Sequence, residues 1–222
     1  MEFLHSNKFE FDNLNTEEIN GKRHYVTPEG AYPSVTTVLS YFERQAIQDW
    51  RKRVGEEEAN KVSVRAARRG TQIHYMAEDY LSNNPDYTKK RMPTDIETFN
   101  SIRGILDEGI GTIYGLEVPL WSSELRIAGR TDCVAEFRGI PSIVDFKTSR
   151  KFKKKEWITK YFEQLSCYSK MFEERTGEQF KNIVIIMAVD ERKPIVFIEN
   201  RDNFLESAVE KIRRYEEIHS QR

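Results

Sequence analysis

The spacing of apolar positions changes twice along this chain. From Leu116 to Lys147 apolar and polar residues tend to alternate, whereas before and after this stretch apolar residues recur every three or four. The alternating stretch predicts strands over 116–121, 126–137 and 142–147. A helix over 156–176 follows, with Ile158, Phe162, Leu165 and Phe172 as its apolar stripe and Gly177 as its stop. Strands over 182–189 and 194–199 flank the turn Asp190-Glu191-Arg192-Lys193, and 202–219 is a terminal helix. Nearer the N-terminus, 22–33 reads as a short hairpin turning at Pro28-Glu29-Gly30. Ser34 suits the N-cap of the helix that follows. Residues 44–54 and 56–83 are helical, ending at Ser82-Asn83-Asn84-Pro85, and 94–114 is helical up to Gly115. From residue 94 the order is α-β-β-β-α-β-β, an α/β class. Residues 1–93 predict a mainly helical elaboration beside it, within one domain of 222 residues.

Composition narrows the class. Thirteen Phe, ten Tyr and three Trp supply a core and argue against disorder. No apolar run approaches the roughly 20 residues that span a membrane, so no membrane partner is expected. The first ten residues lack a basic n-region and an apolar h-region, and they are too acidic for a transit peptide. The expectation is a cytoplasmic protein of a bacterial or phage-infected cell. Cys133 and Cys167 belong to no CxxC or Cys/His cluster, so neither zinc nor an iron–sulfur cluster is expected; both read as reduced and buried.

A net charge of −1 shows no overall basic balance. The charges are clumped, however. Arg65, Arg68, Arg69 and the run Arg150–Lys155 are basic, while Glu56–Glu58 and Glu216–Glu217 are acidic. A local basic groove and ordinary solvated faces both fit such runs.

The candidate chemistry lies in Gly129-Arg130-Thr131-Asp132 and Ile143-Val144-Asp145-Phe146-Lys147. Arg138–Pro141 reads as a hairpin turn. With 139 and 140 as its loop, 138 pairs with 141, Asp132 falls opposite Lys147, and Val134 falls opposite Asp145. Strand alternation then puts Asp132, Asp145 and Lys147 on one face. The other face carries Ile127, Cys133, Ala135, Phe137, Val144 and Phe146, apolar enough for burial. A one-residue slip destroys both faces. Two carboxylates offer hard oxygen ligands for Mg²⁺ or Mn²⁺, which can activate a water against a phosphodiester. Lys147 can orient that water or neutralise developing charge. The alternative is a surface ion pair, since D-x-K alone is common.

Other residues can support such a site, each with a plainer reading. Gln164 and Tyr168 share a helix face and can hold water, bind phosphate or stack; they can equally form a helix edge. His74 can ligate metal or pair with Glu78 one turn on. Glu117 can reach the metal or remain an edge-strand carboxylate. Phe152 and Trp157 interleave the basic run as in single-strand binding, or the run is a solvated loop. Trp50, ahead of Arg51, Lys52 and Arg53, can stack a base, but reads more simply as a buried helix residue.

Taken together, His74, Gly129 to Asp132, Asp145 to Lys147, and Gln164 with Tyr168 resemble the PD-(D/E)XK superfamily in its RecB-like exonuclease branch. A closer likeness, over about residues 30–220, is to the mitochondrial genome maintenance exonucleases and related phage exonucleases. It is carried by Pro33-Ser34-Val35-Thr36, Ala128 to Glu136, Ile143 to Ser149 and Lys211 to Glu217. The resemblance implies a nuclease core with a mixed central sheet flanked by helices. It implies a Mg²⁺- or Mn²⁺-dependent exonuclease on single-stranded DNA, with the strand threaded beneath the helical first part. It assigns Asp132, Asp145, His74 and the Phe146 carbonyl to the metal and Lys147 to catalysis. The missing transit signal keeps mitochondrial placement from carrying over, and the cysteines that hold an iron–sulfur cluster in some relatives are absent. An endonuclease of the same superfamily and a non-catalytic DNA-binding module are the rival expectations.

Overall fold

The structure, a computed structural model, describes residues 2–220. It opens with an antiparallel meander of β1 (Thr16–Ile19), β2 (Lys22–Thr27) and β3 (Gly30–Pro33). The hairpin at Pro28–Gly30 is as expected; β1 was not, and so a sheet precedes the helices of the first 93 residues. Next come α1 (Val35–Tyr41), α2 (Arg44–Val54) and α3 (Glu56–Leu81). Ser34 caps α1, its hydroxyl accepting from the Thr37 N–H at 3.1 Å. Then follow α4 (Pro93–Gly109), β4 (Ile110–Ser122), β5 (Ile127–Phe137), β6 (Ile140–Ser149), α5 (Thr159–Thr176), β7 (Asn182–Val189), β8 (Ile195–Asn200) and α6 (Asp202–Ser220).

The strands β4 to β8 lie side by side in chain order. Only the β6–β7 pair is parallel, with α5 as its crossover, so the sheet is mixed. Helices cover both faces. On one, Ile73, Met76, Ala77 and Leu81 of α3 and Phe99, Ile102 and Leu106 of α4 pack on Cys133, Ala135, Phe137, Val144 and Phe146. On the other, α1, α5 and α6 pack on Val134, Ile143, Ile183 and Ile185. Strand β7 shows why both faces close: Val184, Ile186 and Ala188 enter the first cluster, and Ile183, Ile185 and Met187 the second. Each large side chain buried there contributes about 1.5–3 kcal/mol.

Three expectations are corrected here. The helix predicted to reach residue 114 stops at Gly109, and β4 starts at Ile110. The backbone of Ile113 exchanges hydrogen bonds with the N-terminal segment, Ser6 N–H to its carbonyl and its own N–H to Leu4, both at 2.8 Å. Tertiary pairing has overridden helical spacing. The β5–β6 register also differs by two residues. Arg138 and Gly139 (φ 52° and 77°) form the loop, so Phe137 pairs with Ile140, and Val134 faces Ile143 rather than Asp145. Positive φ at both loop residues is the tight-turn geometry that matches strand twist. Finally, Ile127 does not share the face of Cys133; it joins the α5 side.

That last difference has a local cause. On β4, Leu116 packs against the α3 and α4 cluster, while Val118 and Leu120 lie in the opposite one. Strict alternation would keep all three together. Between Leu116 and Val118 stands Glu117, at φ +49°, a left-handed backbone in mid-strand. The strand reverses its facing there, and its partner β5 reverses with it.

Candidate active site

The reversal point is where the polar residues gather. Leu116 pairs with Cys133 and Val118 with Thr131, so Glu117 stands opposite Asp132. On the other side the β5–β6 ladder runs to Cys133–Val144, and the next position sets Asp132 opposite Asp145. Three carboxylates on three adjacent strands therefore form a row. The expected opposition of Asp132 and Lys147 is off by two residues. The shared face survives, because a two-residue shift preserves alternation.

Past Cys133 the two strands part. Instead of a ladder bond, the Phe146 N–H donates to Asp132 Oδ2 at 2.8 Å. A strand residue directs its N–H and carbonyl to the same edge, so the Phe146 carbonyl projects into this gap too. Asp145 is buried, and its carboxylate contacts the Lys147 ammonium. The ring of Tyr161, on the first turn of α5, lies 5.1 Å from Lys147 Nζ. From the opposite layer, His74 of α3 brings Nδ1 to 3.3 Å from Asp132 Oδ1. The expected trio and His74 thus converge, and His74 pairs with Asp132 rather than with Glu78.

Electrostatics follow from this crowding. Burial resists the charged imidazole of His74, but Asp132 outweighs it and raises the pKa to about 9. Burial would raise Asp132, yet His74, Lys147 and the Phe146 N–H together hold it below the ordinary carboxylate value. Asp145 is pushed up to about 6 by burial, against the pull of Lys147. Burial opposes the Lys147 ammonium too, but Asp145 and Asp132 keep it charged. Burial first, then Asp132 and Glu78, push Glu117 up to about 7. Such opposed shifts mark a site whose charges lack full compensation.

Those charges fit a divalent cation. Donor atoms of His74, Glu117 and Asp132 lie within 4.8 Å of one another. Both Asp145 oxygens are buried, Oδ2 against the Lys147 ammonium and Oδ1 without a hydrogen-bond partner. Carboxylate oxygens with one imidazole suit a hard or borderline ion. The fit supports Asp132, Glu117 and His74 directly, with Asp145 beside them on Lys147.

Gln164 and Tyr168 stand differently. Gln164 Nε2 donates to the Tyr168 hydroxyl at 3.2 Å. Tyr168 is 3% exposed, so it neither forms a half-buried edge nor offers a face to a base. Its ring lies on the backbone of Gly129, where an added Cβ would sit 2.6 Å from Tyr168 Cε1. This explains the glycine three residues before Asp132: only a bare Cα admits the ring that holds β5 against α5. Trp50 is also corrected. Helix α2 fully buries no side chain, so Trp50 is half-exposed.

One residue at the site, Tyr161, escaped the sequence reading, and Glu78 was read only as a partner for His74. Tyr161 has the spacing of an α5 face residue, and only the fold brings it to Lys147. Glu78, one turn after His74, has its pKa raised by burial and then by the Asp79 and Asp132 charges. In the basic run, Phe152 and Trp157 are exposed, and Lys154 Nζ lies 5.7 Å from the Trp157 ring. Cys133 and Cys167 are buried free thiols. No helix among the described residues is long and apolar enough to cross a membrane.

Comparison with known proteins bears out the resemblance read from the motifs. Mitochondrial genome maintenance exonuclease 1 of Xenopus tropicalis is 33% identical over 136 residues, 55% of this chain and 37% of that protein. Its Mus musculus counterpart is 31% identical over 131 residues, 54% of this chain and 37% of that protein. The chain thus spans little more than a third of the length of these relatives. No protein-family model matches it. A crystal structure from Eubacterium rectale, of a protein provisionally named an exonuclease, aligns over 65% of this chain and 63% of its own. The TM-score is 0.46 and the identity 16%.

Proposed function

We propose that the chain is a nuclease of the PD-(D/E)XK type, one domain over 1–222, that hydrolyses phosphodiester bonds of single-stranded DNA from a free end. The observation that carries this reading is the gap between β5 and β6. There buried Asp145 and half-buried Asp132 and Lys147 meet His74 and Glu117 in an incompletely compensated cluster. The named activity of the similar exonucleases supports it.

Asp132, Glu117 and His74 would hold Mg²⁺ or Mn²⁺, with Asp145 and the Phe146 carbonyl beside them. Bound there, such an ion polarises the phosphate and lowers the pKa of a water. Lys147 supplies a fixed positive charge. Asp145 and the Tyr161 ring orient it, so its ammonium can hold the attacking water or offset charge developing on phosphate oxygen. Tyr168 and Gln164 are positioning residues: the ring seats β5 through Gly129, and the amide is held by the ring hydroxyl. The run Arg150–Lys155, with exposed Phe152 and Trp157, offers cations and stacking faces directly after the strand that bears Lys147.

The test is hydrolysis of linear single-stranded DNA with Mg²⁺ or Mn²⁺ by wild type, Lys147→Ala and Asp145→Ala. Loss of about 10²–10³-fold in each variant is the expected result. Equal rates in all three would sink the site. Circular single strands separate the modes: cleavage of a circle assigns an endonuclease instead.

A further inference from the structure

A second polar cleft lies away from the catalytic gap. The β1–β3 meander, the end of α1, the start of α2 and the C-terminal end of α6 enclose about 1000 Å³. Two stretches that the catalytic centre leaves unused, the segment at Pro33 and the helix around Tyr215, meet on its wall.

Its chemistry is cationic and aromatic. Lys22, Arg44 and Arg126 line it, and Glu216 is the one carboxylate among the described lining residues. None of these three cations forms an ion pair with a carboxylate among the described residues. Each lies by a ring instead: Arg44 is 4.5 Å from Tyr41, Lys22 is 5.1 Å from Tyr215, and Arg126 is 5.6 Å from Tyr32. Lys22 Nζ donates to the Tyr215 hydroxyl at 3.1 Å and lies 2.7 Å from His219 Nε2. His219 Nδ1 is 2.7 Å from the Tyr215 carbonyl, which can only accept. The ring therefore donates from Nδ1 and accepts from Lys22 at Nε2, so Lys22 carries the charge.

Unpaired cations held against rings suit a ligand with phosphates and flat bases. We infer that this cleft binds a segment of single-stranded DNA, one or two nucleotides, outside the catalytic gap. For its ligand class this rests on the proposed function. Distance allows one strand to occupy both places. Arg126 stands at the foot of β5, and Asp132 lies six residues on, about 20 Å at strand rise.

The test uses the double variant Arg44→Ala/Arg126→Ala, whose side chains are both exposed. Binding of a labelled 12-nucleotide single strand is measured without divalent metal at several salt concentrations. Cleavage of the same strand is then measured with Mg²⁺. The expected result is a Kd raised about tenfold at low salt. The slope of log K against log salt should fall by about 1.4, for two phosphate contacts at about 0.7 each. KM should rise with kcat within twofold. A control with Lys89→Ala/Lys181→Ala, two cations outside the cleft, should leave Kd unchanged.

Unmoved affinity and slope in the cleft variant, or an equal loss in the control, would overturn the inference. Wild type that cleaves the strand while the cleft variant binds as well as it does refutes the cleft alone. Tight binding that depends on the cleft, with no cleavage, refutes the catalytic reading alone. A wild type that neither binds nor cleaves the strand overturns both.

Discussion

The two ends of the β5–β6 hairpin are stabilised in opposite ways. Near the turn the ladder is regular from Phe137–Ile140 to Cys133–Val144, and Phe137, Ala135 and Val144 are sealed under α3 and α4. One pair beyond Cys133–Val144 the ladder opens, and the opposite face holds buried Asp145 with half-buried Lys147 and Asp132. Apolar burial holds one end. The other end keeps charges whose compensation is partial, and its order depends on neighbours reaching in from α3, β4 and α5. The contrast shows a fold that concentrates uncompensated charge at one end of a hairpin and supports it with a regular ladder at the other.

Lys147→Met should break the contrast most severely. It leaves the buried Asp145 carboxylate facing Asp132 without its ammonium partner, at a cost of about 3–5 kcal/mol in urea unfolding, and cleavage should vanish. Adding Asp145→Asn should recover most of that stability and none of the activity. A double variant no more stable than the single one would show that the charges are not the cause. Phe137→Ala should cost a similar amount, about 3–5 kcal/mol, by emptying the core. Cleavage per folded molecule should persist, so a lost turnover in properly folded protein would refute the separation of the two ends.

Gly129→Ala comes next. Its methyl meets the Tyr168 ring, and overpacking of that kind costs about 1–3 kcal/mol. Activity should fall with it, since the same strand carries Asp132. Recovery of stability by a further Tyr168→Val would identify the ring as the cause. Gly139→Ala should have the smallest effect, about 1 kcal/mol, from a methyl at φ 77° in open space. Melting should shift slightly with kcat unchanged.

Much of the hairpin was legible from residue order, for a definable reason. Alternation over 133–137 and 142–147 is a local property, and it assigns Asp145 and Lys147 to one face whatever the fold does elsewhere. Asp132 joined them correctly even though the assumed register was two residues out, because a period of two cannot sense a shift of two. The same insensitivity hid the true loop, Arg138-Gly139, and the opposition of Asp132 to Asp145. Ile127 was misplaced because the facing reverses at Glu117, and nothing in the type of that residue announces a left-handed backbone.

Residue order by itself therefore determined the run of helices and strands, with their ends blurred, and the shared face of the acidic and basic residues. These follow from local periods and from turn and cap residues. Only the tertiary structure decided which distant groups complete the site. His74 and Glu117, which residue order offered beside plainer readings, and Tyr161, which it did not offer, come from three elements, and Gly129 acquires its reason only when Tyr168 lies on it. Those meetings depend on how layers pack across the sheet, a nonlocal balance of burial and charge that no window along the chain contains.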